Sequence, residues 1–284
     1  MSILIFIFGL AIGSFLNAYI WRLHESSDRG RTSAVRPRRT TRGPTSSTSV
    51  WRGRSMCPKC KKTLQWFELI PLLSFIIQGG RCRGCKQKID WQYPLVELAT
   101  GILFLAAFQA TSSPMHWYFI AVLIILFVYD LRYGLIPDKV VLPAIVVALF
   151  YNVIPSVIEG SHTLQVMRFL HSPRGSVEMT VWGVLLATLI GAGFFAIQHY
   201  LSRGRWVGAG DIRFGALMGA MLGWPQILVG LLVSYIVGGV VAAGLLLMGQ
   251  KKFGQTVPMG TFLAIGTIVT LLWGRQLLKI YFPL

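Results

Sequence analysis

Apolar residues in this chain collect into long runs separated by short polar or glycine- and proline-containing breaks. The runs fall near 2–21, 94–112, 115–130, 139–157, 179–200, 212–223, 226–249 and 258–281. A helix needs about 20 apolar residues to cross the hydrocarbon of a bilayer. The pattern therefore predicts an all-α polytopic membrane protein, a bundle of about eight transmembrane helices, with 212–223 as its shortest run. Residues 1–21 lack a basic n-region and an Ala-x-Ala cleavage site, so the first run is expected to stay as a transmembrane anchor. Composition agrees: 54% of the 284 residues are hydrophobic and 13% charged, proportions that a soluble domain of this length could not carry without aggregating.

The net charge of +17 changes the picture less than it first suggests. With eight spans, 23 of the 27 Lys and Arg residues fall on one side of the membrane, sixteen of them in residues 22–93. The positive-inside rule places that side in the cytoplasm and both termini outside. Much of the basic surplus is thus topological rather than a nucleic-acid signal.

Two carboxylates interrupt the apolar pattern. Asp130 closes the run Ile120–Tyr129, and Asp211 heads another run in Gly208-Ala209-Gly210-Asp211. Acidic groups at membrane depth are costly unless partnered, which makes them candidates for function. Helix parity brings both to the cytoplasmic face although they lie 81 residues apart. Two carboxyls sharing a site can hold one proton between them near neutrality. One then deprotonates water while the other protonates a peptide carbonyl oxygen, so the pair predicts an aspartyl hydrolase. Gly208 and Gly210 fit an active-site loop, because residues without Cβ let backbone leave the helix and approach an extended substrate. Glu97, inside the second run, is either a third group of the site or a buried acid paired with a loop arginine. Asp138, after Ile136-Pro137, reads as a helix cap.

The loop 22–93 has its own chemistry. Cys57-Pro58-Lys59-Cys60 and Cys82-Arg83-Gly84-Cys85 contain all four cysteines of the chain, with 21 residues between Cys60 and Cys82. Paired C-x-x-C knuckles collect four thiolates around Zn²⁺; redox C-x-x-C chemistry is the alternative. A closed four-sulfur site leaves no coordination position for catalysis, so a zinc bound by Cys57, Cys60, Cys82 and Cys85 is expected to fold a small zinc-ribbon-like domain. Between the knuckles, residues 64–77 are too short and too interrupted by Glu68 and Pro71 to span, and read as an interfacial strip. Residues 26–55 have the composition of a disordered segment. Their arginines suit anionic lipid head groups, and without an interleaved aromatic platform no nucleic-acid partner is expected. No internal repeat, nucleotide fingerprint or Ser/His/Asp arrangement is evident, and His162 and His171 read as exposed on the outer side. The expected organisation is an anchor at 1–21, a cytoplasmic loop domain at 22–93 with a disordered Arg-rich insert at 24–55, and a multi-span core at 94–284.

Several motifs together carry a resemblance. They are Gly13-Ser14-Phe15-Leu16-Asn17 with Arg22-Leu23, the two knuckles, Ile70-Pro71-Leu72-Leu73-Ser74, Tyr93-Pro94-Leu95-Val96-Glu97-Leu98, Tyr129-Asp130-Leu131 with Ile136-Pro137-Asp138, Gly208-Ala209-Gly210-Asp211, and Val257-Pro258-Met259-Gly260 with Phe262-Leu263-Ala264. In order and spacing the chain resembles the bacterial type IV prepilin peptidases, integral-membrane aspartic proteases of the Gly-x-Gly-Asp class. The resemblance implies that Asp130 and Asp211 are catalytic and that the substrates are prepilins or pseudopilins. These lose a short basic leader at the cytoplasmic face of the bacterial inner membrane. It also implies N-methylation of the new terminus with S-adenosylmethionine, with Glu68 and Glu97 as candidate substrate or methylation groups. Glu68, Asp90 and Glu97 are the expected attractants of the basic leader. The chain departs from the family pattern after Leu23, where His24 stands in place of the usual Pro, and at Met259 and Thr261, where Phe and Pro are commoner; neither departure is expected to touch the aspartates. A presenilin-like or signal-peptide-peptidase-like protease, or a transporter using Asp130 and Asp211 as ion sites, would share the two acids but has no reason to carry the cysteine loop.

Overall fold

The computed structural model describes residues 1–35, 55–57, 59–110, 113–158, 181–250 and 257–281. His162, His171 and residues 36–54 of the Arg-rich insert lie outside the described residues; residues 24–35 of that insert, expected to be disordered, instead continue the first helix. Every apolar run falls on a helix: α1 (Ser2–Val35), α3 (Gln92–Ala110), α4 (Pro114–Tyr133), α5 (Asp138–Ile158), α6 (Val181–Leu201), α7 (Ala209–Leu222), α8 (Gln226–Leu247) and α9 (Met259–Tyr281). The short α2 (Leu73–Ile77) and a 3₁₀ turn (Trp66–Leu69) belong to the cysteine loop. Among the described residues six helices are long and apolar enough to cross a membrane: α1 over Ser2–Ser27, α3, α4, α6, α8, and α9 over Met259–Ile280. The other two are α5 and α7. With 14 residues, α7 reaches only about 21 Å against a hydrocarbon thickness of about 30 Å.

The chain divides into two compact units, Met1–Ser112 and Ser113–Leu284. In the first, α1 lies against α3 so closely that a Cβ on Gly13 would stand 2.7 Å from Glu97 Cα. One helical turn along, Asn17 donates from Nδ2 to the Tyr93 carbonyl at 3.0 Å. The cysteine loop is built from two turns with one hydrogen-bond plan. Cys57 N–H donates to Lys62 O and Lys61 N–H to Cys57 O, each at 2.9 Å; Cys82 N–H donates to Gln87 O and Lys86 N–H to Cys82 O, also at 2.9 Å. Lys61 and Lys86 occupy the same left-handed position, at φ 58° and 59°. The expectation of no internal repeat is corrected here: a short repeat exists at an offset of 25 residues. Its signature is backbone geometry, and only the cysteines and the lysine after each pair mark it in the sequence.

In the second unit α7 touches α5, α6, α8 and α9, and α4 buries Ile120, Leu123 and Leu126 fully. Against it packs α9, which also lies along α8. The tightest crossing is α6 on α7. A Cβ on Gly191 would collide with the Gly215 carbonyl, one on Gly215 with that of Gly191, and one on Gly219 with that of Ala187. Small residues four apart on both helices thus let the backbones meet, the usual way of packing helices when lipid removes the hydrophobic incentive. On its other side α7 is fastened to α5 by Asn152, which donates from Nδ2 to Ala220 O at 2.7 Å in the interior.

Candidate active site

Among the described residues four acids are buried: Glu68, Glu97, Asp130 and Asp211. Asp130 sits one turn before the end of α4, where Gly134 at φ 60° closes the helix by donating its N–H to Asp130 O. The chain then turns through Ile136-Pro137 into α5. Its carboxylate points at the start of α9: Oδ2 accepts the Thr261 N–H at 2.9 Å. That N–H is one of the unsatisfied donors of a helix N-terminus, a natural seat for an anion. This corrects the expectation that the departure at Thr261 leaves the aspartates untouched. A proline here would have no N–H to give.

Asp211 lies in the first turn of α7 and accepts the Gly208 N–H on Oδ2 at 2.9 Å. Gly208 is extended, at φ −76° and ψ 159°, as expected of backbone leaving a helix. Gly210 differs: it is helical, and its missing Cβ serves a neighbour. A Cβ there would stand 3.1 Å from Ile136 Cβ. Gly260 has the same side chain beside it, since its Cβ would lie 3.3 Å from Ile136 Cδ1 and 2.9 Å from Asp130 Oδ2. Ile136 is therefore the wedge on which the two halves converge, with Gly260 and Asp130 on one flank and Gly210, next to Asp211, on the other. The carboxylates are close enough for their charges to interact. Asp138, expected as a helix cap, is the first residue of α5 and forms an ion pair with Arg213 of α7. That pair ties the helix after Asp130 to the helix bearing Asp211.

Sequence reasoning did not find Thr261, Ile136 or Arg213 as parts of this arrangement. Thr261 contributes a backbone group, and Ile136 contributes only shape.

The other candidates lie in the first unit. Glu68 closes the 3₁₀ turn by accepting the Gln65 N–H at 2.9 Å and meets Lys62 Nζ at 3.4 Å. The Gln65 N–H, reinforced by Lys62, holds its carboxyl below the ordinary range. Glu97 accepts the Leu72 N–H at 2.8 Å and a bond from the Ser14 hydroxyl, which fixes Leu72 at a left-handed φ of 59°. Close by on α1, Asn17 Oδ1 is buried without a hydrogen-bond partner. The sulfurs of Cys57, Cys60, Cys82 and Cys85 are free thiols lying within 4.8 Å of one another, a cluster that could hold a metal ion. The N–H groups of Cys85 and Gly84 bring the Cys82 thiol down to about 7, whereas burial and the neighbouring sulfurs push the Cys85 thiol up to about 11.

Residues 7–111 match the Bacterial Peptidase A24 N-terminal domain, and residues 117–243 match the type IV leader peptidase family. The chain is 32% identical to the prepilin leader peptidase/N-methyltransferase of Aeromonas salmonicida (strain A449), over 98% of its own length and 92% of that protein. It is 30% identical to the protein of the same name from Bacillus subtilis (strain 168), over 99% and 98% of the two chains. With that of Pseudomonas aeruginosa it shares 28% identity over 96% and 90%. No solved structure matches the chain.

Proposed function

The chain belongs to the type IV leader peptidase family, and on that premise we propose that Asp130 and Asp211 form the catalytic dyad of a membrane peptidase that removes the basic leader of type IV prepilins or pseudopilins. The observation that carries this reading is two buried carboxylates close enough for their charges to interact, each seated on a backbone N–H near the N-terminus of a different helix, with Gly260 beside Asp130 and Gly210 next to Asp211 both meeting Ile136. One carboxylate takes a proton from water as the oxygen attacks the scissile carbonyl carbon. The other gives its proton to the carbonyl oxygen. On collapse, the carboxyl protonated by water gives its proton to the departing amine nitrogen while the other takes one back from the diol hydroxyl as the carbonyl re-forms, so the pair ends with the single proton it began with. The Thr261 and Gly208 N–H groups each hold Oδ2 of one aspartate, and the Gly260 N–H is a further partner of Asp130. The Lys and Arg asymmetry supports a cytoplasmic-facing site in the bacterial inner membrane. It also supports anionic lipid as the partner of the Arg-rich insert. By division of labour, residues 94–284 carry the peptidase core, 1–21 the anchor and 22–93 the loop domain.

We assign Zn²⁺ to the cysteine cluster. A tetrahedron with Zn–S bonds of about 2.3 Å needs sulfurs about 3.8 Å apart, and Cys57 Sγ lies 3.9 Å from Cys85 Sγ. We further propose N-methylation of the new terminus. S-adenosylmethionine, when bound, supplies an electrophilic methyl on a cationic sulfur. Glu97 and the orphaned Asn17 oxygen offer buried acceptors that suit such a cation, and Glu68 is a second carboxylate available to the leader or its amine.

The test is to incubate the purified protein with a candidate prepilin, with and without S-adenosylmethionine, and weigh the products. Loss of the leader in both, with one added methyl only in the second, is the expected outcome. An intact prepilin in both rejects the reading. Cleaved but unmethylated product across roughly pH 6 to 8.5, where the new amine titrates, reduces the enzyme to a peptidase alone.

The seat of Asp130 yields a second expectation. Thr261→Pro deletes the donor at a first-turn position where proline is otherwise tolerated, and should lower kcat roughly tenfold, the worth of a bond to a charged group. Thr261→Ser, which keeps the N–H and the hydroxyl bond to Pro258 O, should match the wild type in the same assay.

A further inference from the structure

We propose that His199 is a positioning residue for Asp211, acting through the Val207–Gly208 peptide group; the proposal rests on the dyad reading above. His199 lies in the last turn of α6, half-buried, and the sequence singles it out for nothing. Its Nδ1 is 2.8 Å from the Val207 carbonyl oxygen. A carbonyl can only accept, so Nδ1 carries the proton and donates. The N–H of that same peptide group belongs to Gly208, and it is the one that donates to Asp211 Oδ2 at 2.9 Å.

In a trans peptide the C=O and N–H point to opposite sides of one rigid plane. His199 therefore holds one edge of the plane whose other edge holds the carboxylate. A bond at the oxygen does two things at once. It stops the plane from turning, and it polarises the amide so that the N–H becomes the better donor.

The loop between α6 and α7 is built to present this imidazole. Gly204 N–H donates to the His199 carbonyl at 2.8 Å, and the Ser202 hydroxyl accepts from Trp206 N–H at 3.2 Å. Gly204 has φ 74°, and a Cβ there would stand 3.3 Å from His199 Cε1, so the residue that turns the loop also makes room for the ring. Val207 is buried, which keeps water from replacing the histidine on its carbonyl. His199 and Asp211 are also near enough for their charges to interact directly.

The experiment compares His199→Leu, His199→Asn and His199→Gln in the full-length protein, purified in detergent and assayed on a prepilin. Asparagine presents Nδ2 where histidine presents Nδ1; leucine presents no donor; glutamine carries its amide one carbon further out. We expect His199→Leu to lose roughly ten- to a hundredfold in kcat at nearly constant KM, as misplacement of a catalytic group does. His199→Asn should stay within about threefold of the wild type because the donor is kept, and His199→Gln should fall with leucine. Hydrogen exchange of the segment containing Gly208 should quicken in the leucine variant and not in the asparagine one, a readout independent of activity.

A normal kcat in folded His199→Leu overturns the proposal. So does a loss in His199→Asn equal to that in leucine. If the leucine variant fails to accumulate, equal activity of the asparagine and glutamine variants overturns it instead. Asp211→Asn is run beside them: an active Asp211→Asn enzyme removes the dyad and this inference together. An inactive one beside a normal His199→Leu removes this inference alone.

Discussion

Replacing either Asp130 or Asp211 with asparagine is expected to abolish leader cleavage in a protein that still inserts and folds. Asparagine keeps a carbonyl oxygen that can accept the Thr261 N–H in the first case and the Gly208 N–H in the second. The neighbours that enclose the pair, Ile136, Gly260 and Gly210, keep their contacts, since the volume is unchanged. What disappears is the ability to take or give a proton. General acid–base groups contribute about 10²- to 10⁴-fold each, and here each step needs both members. A loss of at least about a thousandfold is therefore expected for either single variant, with the double variant hardly worse, because groups that act as a unit are not additive. Turnover near the wild-type value in a purified assay of either variant would sink the dyad.

The second large effect is predicted in the cysteine loop. Changing any of Cys57, Cys60, Cys82 or Cys85 to serine, or stripping the metal with a chelator, should release one zinc per chain and open the loop to protease. Structural zinc contributes about 10–16 kcal/mol of apparent binding energy in small metal-folded peptides. The loop has little to set against that loss. Its buried side chains are few, and Trp66, Leu73, Ile76, Ile77 and Trp91 are exposed. Its two turns are held by short backbone bonds that close only around the cysteines. Cleavage should fall less than in Asp130→Asn, since no coordination position is open for chemistry. Metal content by mass spectrometry, protease resistance and cleavage rate, measured on the same preparation, decide the matter. Complete loss of cleavage at normal protein level would instead show that the loop positions the substrate.

Much of this arrangement is legible in the chain before any coordinates, and what is not has a common cause. The apolar runs became helices because twenty apolar residues in lipid have no other way to satisfy their backbone. Asp130, Asp211 and Glu97 stand out in the sequence because an acid within an apolar run is costly, and all three are buried; Glu68, named from the resemblance, is buried too, whereas Asp90, named with it as an attractant of the leader, is exposed. The family match sets aside the presenilin-like and transporter readings. Thr261 escaped because its contribution is a backbone N–H, which every residue but proline possesses; only the contact with Asp130, 131 residues away in sequence, gives it meaning. The twin turns around Lys61 and Lys86 escaped for the same reason, being a repeat of hydrogen bonds more than of letters. Gly210, expected to let the backbone leave the helix, is itself helical and makes room for Ile136.

The two aspartates also differ in when they become usable during synthesis. The seat of Asp211 is local, a bond to a residue three positions earlier, and forms as soon as that stretch of chain leaves the ribosome. The seat of Asp130 waits for Thr261. A nascent chain that has inserted everything through α8 already carries both carboxylates, yet one has no partner to orient it. In the proposed dyad, the geometry of Asp130 is therefore complete only once α9 is in place.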